Sequence, residues 1–189
     1  GLPNKYIFET VPPEIITTLI LVEHLGYRNF ANAQNEEEKM RILRVPLIML
    51  SLNSDHAYNE ELSNRDAKGI AQLRQIAYQD ACGATAENTT CTNQLLTGSF
   101  TNDAMDHEKA VTTMFCLVDH NLSTIPQNER KTILQANENA SAKDMRNIGL
   151  YSAVAYNAGP SALRNLIREH GSEWQEHAPG DYVERFTAV

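Results

Sequence analysis

The sequence is short of most features that would place it quickly. It holds three cysteines, nine glycines, seven prolines and one tryptophan in 189 residues. Glycine and proline this sparse exclude a collagen-like or low-complexity chain, and 42% apolar with 21% charged residues excludes a disordered one. Basic residues are in the minority, 16 Lys and Arg against 24 Asp and Glu, for a net charge of −8. No nucleic-acid partner is expected, because that role needs a clustered basic face. The longest apolar run, Ile15 to Val22, is interrupted by Thr17 and Thr18. It falls well short of the roughly 20 residues that span a bilayer. No Cys-x-x-Cys occurs, and the six histidines stand at no metal-ligand spacing. His107-Glu108 opens like a zincin helix, but Val111 takes the place of the second histidine. No metal or cofactor is expected. The chain opens at Gly1 without a charged-then-apolar leader, which reads as a mature or trimmed form.

The cysteines that are present leave two readings open. Cys82 and Cys91 bracket the short polar stretch GATAENTT, which a disulfide can close, and such a bond requires an oxidising compartment. The other reading is three reduced cysteines. Cys116 lies in an apolar helical pattern, TTMFCLVDH, and is expected to be a buried free thiol.

Apolar residues recur at three- and four-residue spacing along nearly the whole chain, which predicts an all-α protein. Pro12 and Pro13 open a first helix carrying Ile15, Ile16, Leu19, Ile20 and Val22. Asn35 is placed to cap a second, with Glu36, Glu37 and Glu38 at the positive end of its dipole. Pro46 should kink this helix or begin another, and Val45 to Leu52, apolar on almost every side, reads as a buried central helix. Ile70, Leu73, Ile76 and Ala77 mark one face of a further helix, and Val111, Met114, Phe115 and Val118 one face of the next. Ser141 with Asp144 makes a capping box before Met145, Ile148, Tyr151, Val154 and Ala155. Gly159-Pro160 then ends that helix and starts one with Leu163, Leu166 and Ile167 inward. The stretches 53–66 and 97–103 read as loops. Neither has the length of an interdomain linker, so residues 1–189 are expected to form one domain.

Two segments carry chemistry. SNRDAKGIAQL, Ser63 to Leu73, leads from a loop towards a helix, and AVAYNAGPSAL, Ala153 to Leu163, joins two helices. Gly69, lacking a Cβ, suits close approach of a ligand to backbone. Gln72, Tyr156 and Asn157 offer the fixed polar groups and aromatic surface that sugar recognition uses. In this order the segments resemble the lytic transglycosylase family. Its pattern is a helix ending Glu-Ser, then Ser-x-x-x-Ala-x-Gly-Leu-Met-Gln, then Ala-Tyr-Asn-Ala-Gly-Pro, then a Tyr-Val pair. Ser63, Ala67, Gly69 and Gln72 match the second element, Ala155 to Pro160 the third, and Tyr182-Val183 the last. The resemblance covers residues 45–186, with 1–44 as N-terminal helices without an assigned motif. It implies a goose-lysozyme-like helical fold in the periplasm or outside the cell, acting on peptidoglycan glycan strands. Ser54, Gly69, Gln72, Tyr156, Asn157 and Tyr182 would then be its substrate-binding residues.

The resemblance breaks at the acid. In register with Glu-Ser stands Asn53, or Ser54 when counted back from Ser63, and neither side chain delivers a proton at neutral pH. Ala71 replaces the methionine of the second element. Glycan recognition with cleavage lost or weak is therefore the first expectation. The alternatives are an active transglycosylase, with Asp55 as acid or Asn53 an introduced replacement, and a structural component of an envelope-spanning machine that contacts other envelope or secretion proteins.

Overall fold

The computed structural model describes residues 11–25, 27–53, 57–58, 66–83, 93–127, 142–178 and 180–189. Among them the regular structure is helical: α1 (Pro13–His24), α2 (Tyr27–Ala31), α3 (Glu36–Asn53), α4 (Gln75–Cys82), α5 (Phe100–Met105), α6 (His107–Ser123), α7 (Ala142–Ala158), α8 (Pro160–His170), a 3-10 helix (Gly171–His177) and α9 (Gly180–Ala188). No described helix is long and apolar enough to cross a membrane. The chain divides into two compact units, residues 19–117 and residues 1–18 with 118–189.

The N-terminal signals act as read. The buried stripe of α1 is the predicted one, with Ile15, Ile16, Leu19, Ile20 and Val22 at 9% exposure or less. Asn35 caps α3, its Oδ1 accepting from the Glu38 amide at 2.9 Å. The rest of α3 departs from expectation. It runs unbroken through Pro46, and Val45, Leu47, Ile48, Met49 and Leu52 are all exposed, Leu52 at 77%. A helix apolar on every side can bury only the stripe that faces its neighbours, and a unit of about 100 residues does not have the volume to surround it.

The segment expected to be helical from Ile70 begins instead as a tight turn. Lys68 and Leu73 pair as an isolated antiparallel bridge, with N–H to O distances of 2.9 and 3.0 Å in the two directions. Helix α4 starts only at Gln75. Ile70 and Leu73 are buried as expected, but from the turn, and Ile76 on α4 is 67% exposed. Residues 100–103, expected in a loop, are helical in α5. A polar cluster holds α5 to α4. The buried Asp103 accepts from Tyr78 Oη at 2.6 Å, from Thr97 Oγ1 at 2.6 Å and from the Thr97 amide at 2.8 Å. Burial first, then the bond to Asp103 and its charge, push the Tyr78 phenol well above the ordinary tyrosine range. Cys116 is a buried free thiol, as expected, and accepts from Asn93 Nδ2 at 3.0 Å. Cys82 is buried at the end of α4, while Cys91 lies outside the described residues.

In the second unit α7 packs on α8 and α9, and α8 on the 3-10 helix. Tyr151 meets the buried Trp174 with ring centroids 4.7 Å apart. Gly149 lets α9 approach closely: a Cβ there would lie 2.7 Å from the Phe186 ring. The break at Gly159-Pro160 is where the sequence puts it, with Pro160 in the first turn of α8 and Leu163 and Ile167 buried.

Candidate functional site

The Lys68–Leu73 turn is the best-defined feature among the motif residues. Gly69 is buried, its φ is +69°, and a Cβ there would collide with the carbonyl oxygen of Ala104 in α5. The close approach that this glycine permits is therefore to the chain's own backbone, where the sequence suggested a ligand. Gln72 also takes a left-handed conformation, φ +46°, and is half-exposed. Its backbone N–H and its Nε2 both donate to Gly69 O, at 3.0 and 3.1 Å. That engages one of the two Nε2 hydrogens and leaves the other, with Oε1, for a ligand. Ala71 is fully buried, so position 71 packs inward and does not line a surface.

The end of α1 is tied to this turn. His24 Nε2 lies 2.6 Å from the carbonyl oxygen of Ile70, which can only accept, so the ring nitrogen carries a proton and donates. Tyr58 stacks on the His24 ring at 3.6 Å between centroids and 22° between planes. Tyr58 Oη donates to Pro46 O at 3.4 Å, and the carbonyl of Ala57 meets His107 Nε2 at 2.8 Å. His24 and His107, two of the six histidines that stand at no metal-ligand spacing, thus each meet a backbone carbonyl at a half-buried position in the first unit.

This tie brings forward a carboxylate that the sequence reading passed over. Glu23, half-buried in the last turn of α1, immediately precedes the residue that contacts the turn. The signal was present: α1 is an apolar helix that ends in a glutamate followed by a polar residue. It was hidden by the distance from Glu23 to Ser63, which made the nearer helix end at Asn53 the natural choice. Asn53 itself is exposed, and its amide donates back to Met49 O at 3.0 Å, within its own helix. Ser54, Asp55 and Ser63 lie outside the described residues.

A shallow cavity of about 480 Å³ adjoins the turn, lined by Asp66, Lys68, Arg74, Phe100 and Thr101 among others. Lys68 Nζ bonds Thr101 Oγ1 at 3.2 Å and lies 5.5 Å from the centre of the Phe100 ring. The cavity therefore offers cationic, hydroxyl and aromatic groups side by side.

The remaining motif residues are in the second unit. Tyr156 is half-exposed and Asn157 exposed at the end of α7. Tyr182, expected to contact substrate, is 2% exposed, and the Arg185 guanidinium lies over its ring at 5.1 Å. So buried a side chain packs and orients neighbours; it offers no face to a ligand. No three His, Cys, Asp or Glu side chains gather as a metal site among the described residues. No protein-family model, curated protein or solved structure matches the chain.

Proposed function

We propose that this chain is a lytic-transglycosylase-like domain of goose-lysozyme type that cleaves peptidoglycan glycan strands, with Glu23 as its acid. The observation that carries the reading is the 2.6 Å bond from His24 to Ile70, which sets the Glu23 end of α1 beside the Gly69–Gln72 turn. Glu23 ahead of the glycine-glutamine turn follows the order of the family's elements, with His24 where the family's Glu-Ser has serine. Asn53 is not needed in it.

The chemistry asks for one group. Glu23, protonated, gives its proton to the glycosidic oxygen as the bond to the muramic C1 breaks. As carboxylate it takes the proton from the C6 hydroxyl, whose oxygen closes on C1 to form the 1,6-anhydro sugar. A second carboxylate, usual where water is the nucleophile, has no part in this ring closure. Gln72 is proposed as a glycan contact, and the periplasm or the outside of the cell as the place of action.

Digestion of purified sacculi, with soluble products read by mass spectrometry, tests the reading. The parent protein should release 1,6-anhydromuropeptides, Glu23→Gln should lose at least about 10²-fold, and Asn53→Glu should match the parent. Undiminished products from Glu23→Gln would remove Glu23 from the reaction. A silent parent with an active Asn53→Glu would return the acid position to the end of α3.

A second reading is favoured by the exposed apolar side chains of α3, Val45, Leu47, Ile48, Met49 and Leu52. They suit a structural part of an envelope-spanning machine. Silence from all three proteins in the same assay would select it.

A further inference from the structure

We propose that His24 is a positioning residue, whose ring fixes the end of α1, and with it Glu23, against the Gly69–Gln72 turn. The inference rests on Glu23 being the acid. Its own ground is the way the ring is held on both edge and face. The turn closes through Lys68, Leu73, Gln72 and Gly69, and none of these backbone bonds reaches the Ile70 carbonyl. Ile70 is 5% exposed, so its carbonyl needs a donor from the protein, and His24 supplies it. Both the neutral Nε2–H tautomer and the imidazolium can make this bond.

On its face the ring is covered by Tyr58, which restricts its rotation. Tyr58 has φ +62°, a conformation that an ordinary residue keeps only when its surroundings hold it. Here the holders are Pro46 O on the tyrosine hydroxyl and His107 on the neighbouring Ala57 carbonyl. The 68–73 turn thus holds His24 directly, and Tyr58, which stacks on it, is held by Pro46 of α3 and through the neighbouring Ala57 by His107. Such a clamp matters for catalysis because misplacing a proton donor by about 1 Å costs on the order of 10²-fold in rate.

Two substitutions separate positioning from packing. His24→Leu keeps apolar volume under Tyr58 but removes the donor, while His24→Gln returns an amide donor at a similar reach. The kcat and KM for release of anhydromuropeptides from soluble glycan strands should respond differently. His24→Leu should lower kcat by about 10- to 100-fold with KM within about 3-fold of the parent, and His24→Gln should recover most of the loss. Hydrogen exchange at the Gln72 and Leu73 amides should quicken in His24→Leu and stay slow in His24→Gln. Exchange at the Tyr78 and Asp103 amides, hydrogen-bonded in the same unit but away from the turn, should be the same in all three, which excludes general unfolding of that unit as the cause. Parent-like kcat in His24→Leu, or equal damage from both substitutions, overturns the proposal. If instead Glu23→Gln remains active, the acid assignment falls and takes the positioning role with it. A silent Glu23→Gln beside a fully active His24→Leu removes the positioning role alone.

Discussion

Gly69 and Gly159 each sit in one of the two motif segments and each has left-handed backbone, with φ of +69° and +87°. Their surroundings have nothing in common. A Cβ on Gly159 would meet no atom within 4 Å, whereas a Cβ on Gly69 would run into the backbone carbonyl of Ala104. Gly159, at φ 87° and ψ 156°, is needed for the path of the chain between α7 and α8, a region of backbone space that only glycine populates freely. Gly69 is needed for its conformation and also because α5 occupies the space of its side chain. One glycine answers a local demand and the other a tertiary one, and only the first can be read from its neighbours.

The comparison can be broken by substitution, and the largest effect should come from Gly69→Ala. Strain at positive φ and collision with immovable backbone add, for a loss of about 4 kcal/mol in a denaturant titration. A cost near that of Gly159→Ala would show that α5 yields and that the tertiary demand is weak.

Asp103→Ala should follow, at about 3 kcal/mol, because it strands the buried Tyr78 hydroxyl and two Thr97 donors that now converge on one carboxylate. Asp103 adjoins Ala104, so loosening α5 should also soften the collision at Gly69. The double variant should therefore cost less than the two singles together, and strict additivity would argue against this coupling. Gly159→Ala, with strain alone, should cost about 2 kcal/mol, checked in the same titration.

The smallest effect is in pH. Tyr78 is held neutral in the folded protein well above the ordinary tyrosine pKa near 10. Its contribution is therefore complete below that pH, and it declines as pH rises further, since the unfolded chain releases the proton first. Stability should fall by about 1 kcal/mol from this group between pH 10 and 11, and Tyr78→Phe should flatten that part of the curve.

Legibility from the sequence followed the same division. Helix α1, the Asn35 cap, the Gly159-Pro160 break and the buried stripe of α8 depend on residues a few positions apart, and each is where periodicity and capping put it. The burial of α3 was misjudged. Periodicity shows that a helix is apolar and says nothing of how much protein lies around it. The turn at 68–73 was read as helix because Ile70 and Leu73 have helical spacing, yet their burial comes from a bridge and from α5 overhead. The acid position falls at Asn53 by register with Glu-Ser, or at Ser54 by counting back from Ser63, and both measure position along the chain. The bond from His24 to Ile70 spans 46 residues and has no trace in that count.

The sequence by itself determined an α-helical chain, several of its helix ends and the two segments that bear polar motif residues. Helix propensity, capping and glycine-proline breaks act over single turns, so they can be read directly. Only the tertiary structure decided which helix end is tied to the Gly69–Gln72 turn, why Gly69 has no room for a side chain, and that Tyr182 is buried. Those outcomes depend on contacts between residues far apart in the chain, whose energies no local pattern encodes.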